Sequence, residues 1–354
     1  MREGEEALTE RILVTGAAGF IGHHLVNHLL KNTDWEVVCM VRVGGAGHMR
    51  RLNEVLDEHQ EWDPRVSFVW HDLRSPVNSN VLHEVGRLDY IAHLAALTHV
   101  DNSITNPGSF VWSNVVGTYH MLEFARKFPE LKWFNQFSTD ECFGPAPDGH
   151  AFPEWARHRP TNPYAASKSG AEALANAYAN CFGVPVLTTS TMNNVGERAG
   201  LEKFLPLLMR KIILGEEVEI HGYPDGSRTG SRFYIHARNV SAALLHLFRT
   251  AEVERAGHQT FATRFNVVGE QEINNLDLGK MVAGIIGKSL NYRVVNFHAS
   301  RPGHDLRYAL RSDKLFATGY RHPVGFEESL RRTVEWTLAH PWWIQLTEEQ
   351  VRGR

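Results

Sequence analysis

Cysteine is scarce in this 354-residue chain: Cys39, Cys142 and Cys181 are the only three, and none are spaced as Cys-x-x-Cys or as a disulfide framework. That excludes a disulfide-stapled fold and fits a reducing compartment. Long apolar runs are also missing. No stretch approaches the ~18 residues of a membrane-spanning helix, and the acidic start, Met1 to Glu10, lacks the apolar core of a signal peptide. Charge is nearly balanced, 37 Lys+Arg against 40 Asp+Glu, so no strong field draws nucleic acid or an anionic membrane. The 20 His show no recurring metal-ligand spacing; His23, His24 and His28 fall on one expected helix and read as surface or satisfied residues rather than ligands. The expectation is a cytoplasmic enzyme with no metal, no nucleic-acid partner and no membrane partner.

What the chain does have is a rhythm. Short apolar strands at Ile12–Val14, Trp35–Val41, Val66–Trp70, Asp89–Leu94, Lys132–Phe137 and Val184–Thr189 alternate with helical segments, among them Ser109–Lys127 and Tyr164–Cys181. Strands separated by helices imply a doubly wound parallel α/β sheet of the Rossmann kind, covered on both faces. Beyond about Asn193 the pattern is less regular and richer in Arg, Gly and Pro. Residues 1–192 therefore read as a dinucleotide-binding domain carrying the catalytic residues. Residues 193–354 read as a smaller C-terminal α/β substrate-binding domain, with an interleaved boundary.

Gly16-x-x-Gly19-x-x-Gly22 follows the first strand and opens a helix. In that context the glycines permit the turn, let backbone approach a pyrophosphate and let helix pack on strand. Asp72, after the third strand, is placed to contact adenine, and the small Ala95-Ala96 lets the chain pass close to a cofactor. Where NAD-specific sites usually end the second strand with an acid, this chain reads Val41-Arg42. A guanidinium there could accept a 2′-phosphate, so the expected cofactor is NAD(P), with NADP favoured over NAD.

Tyr164 and Lys168 are four apart and share a helical face. A phenol titrates near 10, and a cation at ~4 Å supplies roughly the 4 kcal/mol that would bring it near 7. Tyr-x-x-x-Lys is thus a plausible proton acceptor for an alcohol being oxidised. The adjacent acids Asp140-Glu141, in Ser138-Thr139-Asp140-Glu141, point to a second reaction beyond oxidation.

With these motifs the chain resembles the extended short-chain dehydrogenase/reductases, and within them the NDP-glucose 4,6-dehydratases, from Ile12 to about Trp343. The resemblance rests on Gly16-Ala-Ala-Gly19-Phe-Ile-Gly22, His93-Leu-Ala-Ala-Leu-Thr98-His99-Val-Asp101, Asn114-Val-Val-Gly-Thr118, Ser138-Thr-Asp-Glu141, Tyr164-Ala-Ala-Ser-Lys168, Asn193-Asn194 and Arg301-Pro-Gly-His-Asp305. It implies an NDP-hexose 4,6-dehydratase, dTDP-glucose being the first candidate substrate. In that chemistry Tyr164 and Lys168 serve C4 oxidation, with Thr139 on the sugar's 4-hydroxyl. Glu141 then takes the C5 proton while Asp140 protonates the departing 6-hydroxyl, and hydride returns to C6. Asp140 must hold a proton at neutral pH, about three units above its ordinary value of ~3.9. Both acids reach one sugar only if the strand ends there, since neighbours on an extended strand face opposite ways. Cys142 and Phe143 stand where the family usually has an aliphatic residue and a Tyr.

The resemblance adds Phe20, Ile21 and Leu73 to the cofactor contacts. It makes Thr98, Asn193, Lys203, Arg232, Asn266, Arg301 and His304 the nucleotide-sugar contacts, Arg232 and Arg301 at the diphosphate. It also implies a homodimer formed through the helices at 109–127 and 164–181. Residues 224–231 look longer or differently paired than the family segment before Arg232, leaving the base open. Rival readings are a 4-epimerase, a decarboxylase or a 5,6-dehydratase on the same scaffold and, more remotely, a non-catalytic cofactor-sensing protein.

Overall fold

Ile12, Leu13, Val14, Val37, Val38, Ile91 and Ala92 are wholly shut off from solvent, and strands with no polar face must be covered on both sides. The computed structural model describes residues 9–42, 44, 48–58, 64–223, 225, 227–296 and 305–352. The buried strands are β1 (Arg11–Thr15), β2 (Glu36–Val41), β3 (Val66–Trp70), β4 (Tyr90–His93), β5 (Trp133–Thr139) and β6 (Val186–Thr191). With Thr263–Val267 they form one seven-stranded sheet in the order Thr263–Val267, β6, β5, β4, β1, β2, β3. Every pairing in it is parallel. Strand order reverses between β1 and β4, which opens a crevice at the strands' carboxyl ends.

One face is covered by α1 (Phe20–Asn32) and the helix Ala237–Thr250, whose Leu25, Leu29, Leu244 and Leu247 share a core with Val14 and Val37. The other is covered by helices Gly117–Ala125 and Pro163–Phe182, with Leu122, Phe124, Ala175 and Ala179 in a core with Leu13 and Ile91. The segment expected as one helix over 109–127 runs as three pieces: Pro107–Phe110, a π-helical turn Val111–Val116, and Gly117–Ala125. Asn114 anchors the wider turn. Its side chain bonds both the N–H and the carbonyl of Leu97 and the hydroxyl of Ser167.

A second lobe has its own core of Leu208, Ile212, Leu278, Val282, Leu330 and Val334. It comprises the helices Phe204–Leu214, Asn275–Ile286 and Phe326–Ala339 with the paired strands Val218–Gly222 and Tyr292–Asn296. Between these elements the chain returns to the first lobe for helix Ala237–Thr250 and strand Thr263–Val267, so residue 193 is not a clean cut. No helix among the described residues is long and apolar enough to cross a membrane.

The glycine at the start of α1 admits no side chain. A Cβ at Gly22 would lie 2.1 Å from the carbonyl oxygen of Gly16, a backbone atom that cannot swing aside. Gly22→Ala is expected to destabilise the fold by about 2 kcal/mol or more, read as a lowered urea midpoint.

Candidate active site

The cleft begins where β1 gives way to α1. Gly16 takes φ of +68° and lies so close to the β4 loop that a Cβ on it would stand 2.9 Å from Ala95 Cα. The Ala95 amide donates to Thr15 Oγ1 at 3.1 Å, which fixes that approach. Gly19 caps α1 without a side-chain acceptor, and the first turn holds no acid. The helix's leading amides are therefore suited to an anion, and this cradle fits a dinucleotide diphosphate. Gly16, Gly19, Phe20, Ile21, Gly22, Arg42, Asp72, Leu73, Ala95, Ala96, Tyr164 and Lys168 all line one cavity of about 360 Å³. Arg42 does not face it unopposed: its guanidinium lies 3.7 Å from Asp72. Asp72 in turn accepts from Arg74 at 2.6 Å, a bond that holds its carboxyl down to about 2.

The acid pair sits where β5 runs out. After Thr139 the backbone leaves the sheet for a 3₁₀ turn, Asp140–Phe143. The turn is what lets successive residues face one cleft. Thr139 caps it, accepting from the Glu141 amide at 3.4 Å and donating to Asp140 Oδ1 at 3.0 Å. Asp140 is 3 % exposed, and its Oδ2 has no hydrogen-bond partner. Burial first, and then the neighbouring Glu141 carboxylate, push Asp140 up to about 7, the rise the elimination chemistry requires. Glu141 is also raised by burial, but Asn162 donates to its Oε2 at 2.9 Å and opposes the rise. Both carboxyls are thus raised, Asp140 with its neighbour's charge adding to burial and Glu141 with the Asn162 bond opposing it.

Tyr164 and Lys168 line the same cavity from the Pro163–Phe182 helix. The expected lowering of the phenol is not in place. Burial, then the carboxylates of Glu141 and Asp140, raise it well above its ordinary value, against a bond from Thr139. Lys168 donates to the carbonyl of Phe137 at 2.5 Å, and its own ammonium is lowered by burial.

Three of the expected sugar-nucleotide contacts, Thr98, Asn193 and Lys203, line the cavity, and Lys203 Nζ donates to Thr98 Oγ1 at 3.3 Å across it. Two others do not reach it. Arg232 donates to the carbonyls of Ser231, Leu306 and Asp305 and stacks on Tyr308. Its charge lowers both acids. Asn266 is 1 % exposed and braces the carbonyls of Phe152 and Arg311, a structural role set by its place on the edge strand. Arg301 and His304 lie outside the described residues. Asn162, which orients Glu141, was not anticipated. Its signal was there, an Asn before Pro163 that caps the Pro163–Phe182 helix by accepting from the Ala165 amide.

A parallel sheet with a glycine-rich first turn, a Tyr-x-x-x-Lys helix and a second lobe over the strand ends defines an extended short-chain dehydrogenase/reductase. Comparison with known proteins narrows this. Residues 13–333 match the family model described as GDP-mannose 4,6 dehydratase, and the chain belongs to that family. It is 33% identical to the dTDP-glucose 4,6-dehydratase of Salmonella typhimurium, over 94% of both chains. Its structure resembles that of the Streptomyces venezuelae dTDP-glucose 4,6-dehydratase with NAD bound, at TM-score 0.81 and 31% identity, covering 94% of this chain and 98% of that one. The Thermus thermophilus UDP-glucose 4-epimerase in complex with NAD is similar at TM-score 0.78 and 25% identity, over 92% and 98%. The chain is an enzyme of the NDP-sugar 4,6-dehydratase type.

A carboxyl raised in the folded state makes stability depend on pH with a definite sign. Native Asp140 keeps its proton between about pH 4 and pH 7, where the unfolded chain has lost it, so its contribution is present at low pH and is lost as pH rises through about 7. Asp140→Asn has no such proton. Relative to the wild type it is expected to gain stability across that window, by at most roughly 4 kcal/mol, measured as paired urea midpoints.

Proposed function

We propose that the protein uses a bound NAD to convert an NDP-hexose, dTDP-glucose first, to the NDP-4-keto-6-deoxyhexose with loss of water. The observation that carries this reading is Asp140, buried beside Glu141 and pushed up to about 7. Such a carboxyl is an acid that can protonate a hydroxide leaving group, which a simple epimerisation does not need.

Tyr164 accepts the proton of the sugar's 4-hydroxyl, and Thr139 holds the same oxygen by a hydrogen bond. Lys168, one turn along the helix, keeps a cation on that face. The nicotinamide, when bound, supplies the means of removing hydride from C4 and returning it at C6. The 4-ketone acidifies C5. Glu141 removes the C5 proton, and Asp140 gives its proton to the 6-hydroxyl, which departs as water and leaves a C5–C6 double bond. Glu141 then returns a proton to C5 as C6 is reduced. The first-turn amides of α1 hold the cofactor diphosphate, and Lys203, with Thr98 and Asn193, holds the sugar nucleotide.

For the cofactor, NAD is favoured. The similar Streptomyces and Thermus enzymes carry it, and the case for NADP weakens once Arg42 faces Asp72. A homodimer is supported by Val111, Trp112 and Tyr119, which with Phe182 leave large apolar side chains exposed on the two helical segments, Trp112 at 58 %. A cytoplasmic setting suits three free cysteines.

Incubated with dTDP-glucose in deuterium oxide, the enzyme should form a product lighter by one water and carrying deuterium at C5. A 4-epimer without deuterium would overturn the reading. Asp140→Asn should slow elimination far more than oxidation, so that the absorbance of reduced nicotinamide builds up during turnover. Purified enzyme should sediment at twice the chain mass at micromolar concentration and release NAD, not NADP, on denaturation.

A further inference from the structure

One buried carboxylate near the acids has no part in these steps. Glu172 lies one turn beyond Lys168 on the Pro163–Phe182 helix and is 4 % exposed. One of its oxygens accepts from the hydroxyl of Ser138, the residue just before Thr139-Asp140-Glu141. The other accepts from Arg264 on the strand Thr263–Val267. That Arg264 nitrogen also lies 2.8 Å from His158 Nε2, which is 3.5 Å from the Glu172 carboxylate. Cys142 Sγ sits 3.6 Å from Ser138 Oγ. Cys142, His158 and Glu172 come close enough to suggest a metal site, but the Arg264 guanidinium already lies against two of the three, and a second cation would be repelled.

The cluster works as a clamp. Phe137 and Ser138, consecutive at the end of β5, are tied to Lys168 and Glu172, one helical turn apart. Tyr164 and Lys168 are held in place by the helix's own hydrogen bonds. Asp140 and Glu141 hang on a single 3₁₀ turn, and their position depends on how the strand end is tethered. Arg264 offsets the burial of the Glu172 charge. We infer that Glu172 is a positioning residue: through Ser138 it sets the acid pair against the helix that carries Tyr164 and Lys168. This rests on the dehydratase reading, since only there must both sets of residues address one sugar.

The test starts with wild-type turnover of dTDP-glucose. Absence of water loss in the wild type sinks the dehydratase reading, whereas the clamp stands or falls on two variants. Arg264→Met removes the cation shared by Glu172 and His158, the latter packed on Phe143 of the acid turn, whereas Ser138→Ala cuts the tie itself and leaves the Glu172–Arg264 pair whole. In each variant, checked as folded by its thermal transition, kcat should fall on the order of 10- to 100-fold with KM nearly unchanged. The isotope effect from C5-deuterated substrate should grow relative to that from C4-deuterated substrate, because elimination becomes limiting. The double variant should be no slower than the slower single one, as members of one network do not add. Unchanged kcat and isotope effects in folded variants, or losses that multiply, would overturn the assignment. If Arg264→Met does not fold, the Ser138→Ala result decides alone.

Discussion

A buried carboxyl and a half-buried one beside it, at the end of β5, set the terms for the residues around them. An ionised carboxylate buried without a partner is costly enough that the group takes up a proton instead. Asp140 is pushed that way: Thr139 donates to one oxygen, the other has no partner, and its carboxyl is raised to about 7. Glu141, one residue on, is given an amide donor from Asn162. Bringing both groups to one cleft requires the strand to end, because on an extended chain they would lie on opposite faces of the sheet. The 3₁₀ turn is therefore what brings the pair together and not merely a connection.

The topology brings the other participants to that turn. In a parallel sheet the glycine loop after β1, the small residues after β4 and the acids after β5 all emerge at one edge, and β1, β4 and β5 are adjacent. The second lobe reaches over the edge with Lys203, which meets Thr98 from the far side. Because the chain goes back to the first lobe for Ala237–Thr250 and Thr263–Val267, the lobes are cross-linked by the course of the chain itself. Arg264, on that returning strand, is paired with Glu172 behind the acid turn.

The strands of the first half and their parallel arrangement were legible from short aliphatic runs between helical stretches. The expected third strand, Val66–Trp70, is the one observed. The π-helical turn at Val111–Val116 was not legible, since it depends on Asn114 finding Leu97 and Ser167. In the second half, strands of two or three residues pair with distant partners and leave no periodicity to read. Arg232 and Asn266 had the right residue types for a nucleotide site. Both donate to backbone carbonyls of segments brought near by the fold, contacts that no local pattern announces.

By itself the sequence determined the class of fold, the cradle for a dinucleotide, and the co-occurrence of a Tyr-x-x-x-Lys helix with adjacent acids. Each of these is written in local spacing: glycines three apart, side chains one helical turn apart, aliphatic residues in unbroken runs. Tertiary structure alone decided that Asp140 is raised to about 7, that Tyr164 is raised rather than lowered, that Arg42 faces Asp72, and that Glu172 is locked between Ser138 and Arg264. Those outcomes depend on burial and on partners often tens of residues apart, and both exist only once the sheet, its helices and the returning strand have packed together.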